Sequence, residues 1–297
     1  MGGALVDSAD FIMFTGSTAT GRKLAAKCGE RLIGFSGELG GKNPLLVLED
    51  ADLDRAVPGA VNACFSNTGQ LCVATERLYV HANRWDDFVP AFIVQVEDMK
   101  VAPGLGWEPD MGSLASATQL EKIQGQLEGA VSLGAKVLTG GKARPDLGPY
   151  FFEPTVLVDV PPEAELFAEE SFGPVVALYR ADSDEEAIAK ANASPYGLNA
   201  SVWSRRHGVK LARQIRTGTV NVNAGYEATW ASYGGPMGGM GISGVGRRHS
   251  SQGILKYTQA QTVAQQRLLP LSGPIGMSHR TWARIADVAL RLSRFRP

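Results

Sequence analysis

What this chain has little of narrows its class before any motif is considered. Cysteine is scarce: only Cys28, Cys64 and Cys72 occur in 297 residues, an odd number that argues against a disulfide framework and for a reducing, cytoplasmic setting. A charge excess is lacking too. The net charge of −1 gives no electrostatic reason to expect nucleic acid or an anionic membrane as partner. No run approaches the ~20 uninterrupted apolar residues of a membrane-crossing helix, and the opening MGGALVDSADFIMF lacks the basic leader of a secretory signal. Internal repeats and low-complexity linkers are missing as well. The four histidines, His81, His207, His249 and His279, show no metal-ligand spacing, so no metal is expected. Each reads as a surface or packing residue, with His249 beside two arginines as solvated surface. Asp50-Ala-Asp52-Leu-Asp54 lacks the glycine and distal glutamate of a calcium loop and reads as the acidic first turn of a helix.

Glycine and proline, by contrast, are plentiful at 35 and 16, and they separate two kinds of segment. Runs at 10–14, 45–50, 77–82, 135–140, 154–160, 174–180, 199–204 and 219–223 are rich in β-formers and of ordinary strand length. Segments 20–32, 52–67, 84–99, 116–134, 182–194 and 206–218 return their apolar residues at helical spacing. Strands alternating with helices predict an α/β fold, a mainly parallel sheet with flanking helices. A last pattern, HRTWARIADVALRLSRFRP at 279–297, is a basic amphipathic helix expected to pack on the body or on a partner subunit.

Three places invite chemistry. The strand-like DFIMF runs into TGSTATG and then a helix, an arrangement that offers backbone N–H groups and a helix dipole to phosphate. There Gly16 allows close approach and Ser17 or Thr18 can cap, although a plain turn and cap explains the run equally well because the three-glycine dinucleotide fingerprint is lacking. Glu38, among small residues just before a buried strand, would be partly desolvated and so able to act as a base near neutral pH. Cys72 follows the break Asn67-Thr68-Gly69-Gln70 and is not aligned with the core face of the preceding helix, whereas Cys28 and Cys64 fall within helical patterns as core residues. A reactive thiol there needs a nearby positive end or a base.

Phe65-Ser-Asn-Thr-Gly69-Gln70-Leu-Cys72 resembles the active-site signature of the NAD(P)-dependent aldehyde dehydrogenase superfamily, and Glu38-Leu39-Gly40-Gly41-Lys42 resembles its glutamate signature. Phe14-Thr15-Gly16-Ser17 is similar to the family's pyrophosphate turn, and EESFGP at 169–174 to its nicotinamide-ribose segment. Segments 196–198, 218–223 and 236–247 match in order, so the resemblance spans roughly the first 265 residues. It implies that Cys72 attacks an aldehyde carbonyl, passing through a thiohemiacetal and a thioester, with its backbone N–H holding part of the oxyanion. Glu38 would activate the hydrolytic water. Gly16, Ser17, Leu39 and Gly40 would meet the cofactor, NAD or NADP, while Glu170 would bind ribose hydroxyls and Phe172 pack beside them. The wording LIGFSGELGGKNPLLVLEDADLD with GGMGISGVGRR points to the succinate-semialdehyde branch, and a homo-oligomer, dimer or tetramer, is expected by analogy.

The resemblance also divides the chain: 1–39 as the end of the cofactor domain, 40–243 as the catalytic domain, 244–265 as a return and oligomerisation segment, and 266–297 as the basic tail. Two departures stand out. Gly241 occupies the place of a customary lysine, and Arg248-His249 that of a customary acidic residue. The family's long portion before the pyrophosphate turn is not present, and the chain reads as the C-terminal part of an enzyme. The alternative reading is therefore a fragment unable to bind cofactor alone, or at most a cysteine-dependent esterase. Tyr226 and Trp230 lie in a loop that lines the substrate entrance in the family, where either a wall or a packing role is open.

Overall fold

A computed structural model describes residues 2–267 and 272–294 of the chain. The described chain divides after Tyr257 into two compact units, and every residue discussed for chemistry belongs to the first.

The larger sheet has seven strands in the order β10-β9-β3-β4-β7-β6-β5. These are β3 (Asn43–Val47), β4 (Thr75–His81), β5 (Lys136–Thr139), β6 (Thr155–Val158), β7 (Val175–Ala181), β9 (Asn199–Trp203) and β10 (Thr219–Val222). All neighbours are parallel except β5 against β6. The α/β expectation is met. β3 shows why: Leu45, Leu46 and Val47 are fully buried, the continuous apolar run of a strand covered on both faces. Helices α3 (Leu53–Phe65), α4 (Ala82–Glu97) and α5 (Ala117–Ser132) follow strands or loops, and Phe65, Phe88 and Phe92 of the first two lock one face of the sheet.

The smaller sheet has three strands, β1 (Phe11–Thr15), β2 (Gly34–Glu38) and β12 (Gly244–Val245). Helix α1 (Gly2–Ser8) precedes β1, and α2 (Thr18–Arg31) connects β1 to its parallel partner β2. The Ser17 side chain caps α2 by accepting the Thr20 N–H at 3.3 Å, and Leu32 ends it in the left-handed region. β12 returns antiparallel, setting Gly244 opposite Glu38. A two-residue ladder joins β8 (Tyr196–Gly197) to β11 (Met240–Gly241).

Several expectations change in detail. Residues 34–38, GFSGE, carry no strand signal because two glycines interrupt them, yet β1 and β12 supply ladders on both sides and make them a strand. Glu38 thus ends a strand of its own, ahead of the buried β3. The short helix α1 carries no sequence pattern that announced it. His249 is half-buried with φ 58, its ring 5.7 Å from that of Tyr233, not solvated surface; the Met237–Arg248 bridge folds that segment down. His81 lies on the packing side, buried and accepting the Asn83 N–H at the start of α4. The tail pattern forms a helix over His279–Ser293; its residues 295–297, like 268–271 and Met1, lie outside the described residues.

Candidate active site

The turn that carries Cys72 is built by backbone that few residues tolerate. α3 stops at Phe65, and the 3-10 turn Ser66–Gly69 follows, with Asn67, Thr68 and Gly69 all at positive φ near 60°. At Gly69 a side chain would collide with the Gly173 carbonyl, so glycine is required there by both φ and space. Asn43 of β3 then holds the next stretch, its Nδ2 donating to Cys72 O at 2.8 Å and to Ala74 O at 2.7 Å. Its Oδ1 accepts the Asn199 N–H at 3.0 Å, which ties the turn to two central strands. Cys72 is neither in the core nor exposed, while Cys28 and Cys64 are buried.

The sulfur's surroundings are acidic rather than positive. Burial raises the Cys72 thiol above its ordinary value, and the carboxylates of Glu170 and Glu38 add to the effect. Its own backbone N–H and Arg248 oppose it. A thiol so placed would need a base rather than a positive helix end to become a nucleophile.

Glu38 is suited to that part. Its side chain is 7% exposed, and burial raises its pKa against the opposing charges of Arg248, Lys256 and Arg247. Arg248 Nε stands 4.0 Å from Oε1, an ion contact beyond hydrogen-bond reach, and Oε1 has no hydrogen-bond partner among the described residues. A desolvated carboxyl oxygen with a free acceptor position is the form a general base takes. The Glu38 carbonyl accepts the Gly16 N–H at 3.1 Å, so the base strand and the Gly16-Ser17 turn are joined directly.

Glu170 approaches from the other side. Its Oε1 accepts the Gly41 N–H at 2.7 Å, and a Cβ at Gly40 would lie 2.5 Å from Oε2. Burial, reinforced by Glu76, pushes its pKa from 4.5 to about 7. Next to it lies a cleft of about 310 Å³ lined by Ser17, Thr18, Arg22, Lys122, Glu170 and Tyr196. A second compartment of about 210 Å³ shares Thr18, Arg22 and Ile242 and is lined by Gly21, Phe35, Leu39 and Val245. A polar half at a helix N-terminus continuing into an apolar half fits a nucleotide's phosphates and ring. A cavity of about 370 Å³ lined by Pro58, Asn62, Asp98 and Asp110 shares no residue with this constellation.

The structure thus brings Glu38 and Glu170 within electrostatic reach of Cys72, lines the two compartments with Ser17, Glu170 and Leu39 but not with Cys72, Glu38 or Gly40, and sets Gly40 against Glu170 with Phe172 at φ 58 next in the chain. Tyr226 is buried against Trp230 at a ring distance of 4.9 Å, and Trp230 is 42% exposed. Residues that sequence reasoning left without a role are Asn43, Glu76, Arg22 and Gln119. The charged Glu76-Arg77 within the otherwise uncharged strand Thr75–His81 was the signal available.

Known proteins resemble this chain over most of its length. Residues 1–263 match the profile of the Aldehyde dehydrogenase family. A Mycolicibacterium smegmatis protein bearing the provisional name succinate-semialdehyde dehydrogenase for NADP(+) is 51% identical over 293 residues, covering 98% of this chain and 57% of the relative. A glutarate-semialdehyde dehydrogenase of Pseudomonas putida is 38% identical over 250 residues, 84% of this chain and 51% of the relative. The crystal structure of a Staphylococcus aureus betaine aldehyde dehydrogenase in complex with NAD+ superposes with a TM-score of 0.78 at 33% identity, covering 84% of this chain and 50% of that one. The chain spans a little over half the length of the relatives it matches. Over that span, a match of this extent and identity means that the chain belongs to the aldehyde dehydrogenase family.

Proposed function

We propose that this site oxidises an aldehyde to its carboxylic acid, with Cys72 as nucleophile and Glu38 as general base. The observation that carries the reading is a half-buried thiol with, in electrostatic reach, a carboxyl that is 7% exposed and has an unpartnered oxygen. Cys72 Sγ adds to the aldehyde carbon while its proton passes to Glu38, and the Cys72 N–H faces the developing oxyanion. The chemistry supplied by a bound nicotinamide is two-electron oxidation, by accepting hydride from that carbon. Glu38 releases that proton to solvent, then takes one from water as the water attacks the thioester left on Cys72, and passes it to the leaving sulfur. The acid departs and the thiol is restored.

Gly16, Ser17, Leu39, Gly40, Glu170 and Phe172 form the cofactor side in this reading, with the phosphates at the start of α2. NADP is favoured over NAD by the name of the 51%-identical relative, and succinate semialdehyde is favoured as substrate on the same ground. The three-stranded sheet within 1–39 and 244–265 is read as the edge of a cofactor domain, 40–243 as the catalytic domain, and the assembly as a cytoplasmic homo-oligomer.

The test uses the purified 297-residue chain with nitrophenyl acetate, and separately with succinate semialdehyde and either NADP or NAD. Cys72→Ala is expected to abolish the nitrophenol burst, and Glu38→Gln to slow both the burst and the following turnover, by about 10²–10⁴-fold. A burst that survives Cys72→Ala refutes the proposed nucleophile. Ester cleavage by Cys72 without cofactor reduction assigns the isolated chain the hydrolytic activity alone.

A further inference from the structure

Outside the reacting pair, buried charge is concentrated at one place. Lys42 and Glu76 are 2% and 3% exposed, and Lys42 Nζ lies 2.6 Å from Glu76 Oε2. A buried pair of this kind seldom adds net stability over apolar residues of equal volume, so its presence asks for another reason. The remaining lone pairs of Glu76 supply one. Both carboxylate oxygens accept the Ser171 N–H, at 3.0 and 2.9 Å, and Oε1 also accepts the Phe172 N–H at 2.9 Å.

The same two residues are gripped from the opposite side. Gln119 Nε2 on α5 donates to Ser171 O and to Phe172 O, both at 2.8 Å, and Lys122 Nζ donates to Glu170 O at 2.7 Å. The backbone N–H and C=O groups of Ser171 and Phe172 are thus satisfied by side chains rather than by a helix or sheet ladder. Phe172 sits at φ 58, a conformation that a bulky residue keeps only where its surroundings over-determine it. Glu170, the next residue back, is thereby delivered to Gly41.

We infer that Glu76 and Gln119 are positioning residues, a two-sided clamp on the backbone of Ser171 and Phe172 that sets where the Glu170 carboxylate stands relative to Cys72. Lys42 is the counter-charge beside Glu76, whose two carboxylate oxygens together take the two N–H donors. The clamp joins the two signature segments through their own flanks: Glu76 lies four residues after Cys72, and Lys42 four residues after Glu38. The importance of the clamped segment rests on the proposed function, in which Glu170 and Phe172 are cofactor-side groups.

The test needs no cofactor and uses the 297-residue chain. Gln119→Ala removes one side of the clamp, and Lys42→Met combined with Glu76→Gln removes the other without stranding a buried cation. Two readouts are followed: amide exchange at Ser171 and Phe172, and the pH dependence of Cys72 alkylation by iodoacetamide. Glu170, Glu38 and Arg248 are the charged groups that act on the thiol.

Release of the clamp is expected to speed exchange at both amides about tenfold, the factor that one hydrogen bond of ordinary net worth allows, with β4 and β7 amides unchanged. It should also move the alkylation midpoint to lower pH, because the Glu170 carboxylate no longer faces the sulfur. Glu170→Gln, as control, should shift the midpoint alike while leaving exchange slow. Wild-type exchange rates, or an unmoved midpoint, in Gln119→Ala overturn the inference. Gln119 is half-buried, so this variant decides the matter if the double variant does not fold. Neither readout depends on acyl transfer, so loss of the nitrophenol burst in the wild-type chain would refute the proposed function and leave the clamp standing.

Discussion

The seven-stranded sheet and the three-stranded sheet each support one member of the proposed reacting pair, and they hold it differently. Cys72 precedes β4, which is buried at every position, as is its neighbour β3. Glu38 ends β2, whose first residue is exposed, and β2 pairs with β1, where no residue is fully buried. Cys72 is thus anchored in tightly packed core through Asn43, while Glu38 rides on a thin layer fixed by the β12 return and the Gly16 N–H. The sulfur's side is therefore the more densely packed of the two.

The contrast can be broken most severely from within the large sheet. Glu76→Ala leaves Lys42 as an uncompensated buried cation and is expected to destabilise the first unit by about 3–5 kcal/mol, read from urea unfolding. Leu46→Ala on β3, fully buried, should cost about 2–5 kcal/mol. Its counterpart on β1, half-buried Ile12→Ala, should cost roughly 1 kcal/mol, since less apolar area leaves water there. Equal losses at Leu46 and Ile12 would show that the two sheets are packed alike and that the contrast is false.

Titration sharpens the same comparison. The pKa of Glu170 is raised from 4.5 to about 7, so the folded chain binds its proton more tightly than the unfolded chain. Stability from this group is full below 4.5 and is lost as pH rises to about 7. Glu170→Gln, whose amide oxygen can still accept the Gly41 N–H, should remove that decline and stabilise the protein at pH above 7 by on the order of 1–3 kcal/mol, discounted for partial exposure. An unfolding midpoint in urea, followed across pH for both proteins, checks it; parallel curves would contradict the burial of this carboxyl. At the small end, Lys190→Ala breaks the exposed Glu186–Lys190 pair at 2.9 Å and should change stability by less than about 0.5 kcal/mol.

Much of this was legible in the residues. Periodicity and glycine breaks located most strands of the large sheet, because a strand covered on both faces must be apolar throughout, as LLV in β3 is. The break before Cys72 was visible as Asn67-Thr68-Gly69, residues that accept positive φ more readily than bulky ones. β2 was not legible, because GFSGE becomes a strand only when β1 and β12 pair with it. The clamp was hidden as well, since Glu76, Gln119 and Ser171 are far apart in the chain and carry no shared period.

The sequence by itself determined the α/β class, the place of the turn around Cys72 and the family, since each rests on local residue chemistry or on ordered motifs. Only the tertiary structure decided the electrostatics. Burial and the approach of Glu38 and Glu170 raise the Cys72 thiol, where the local sequence had left a positive helix end open as its activator. That outcome depends on which charges meet across the cleft and how much water is excluded between them, and both are set by contacts between residues distant in the chain.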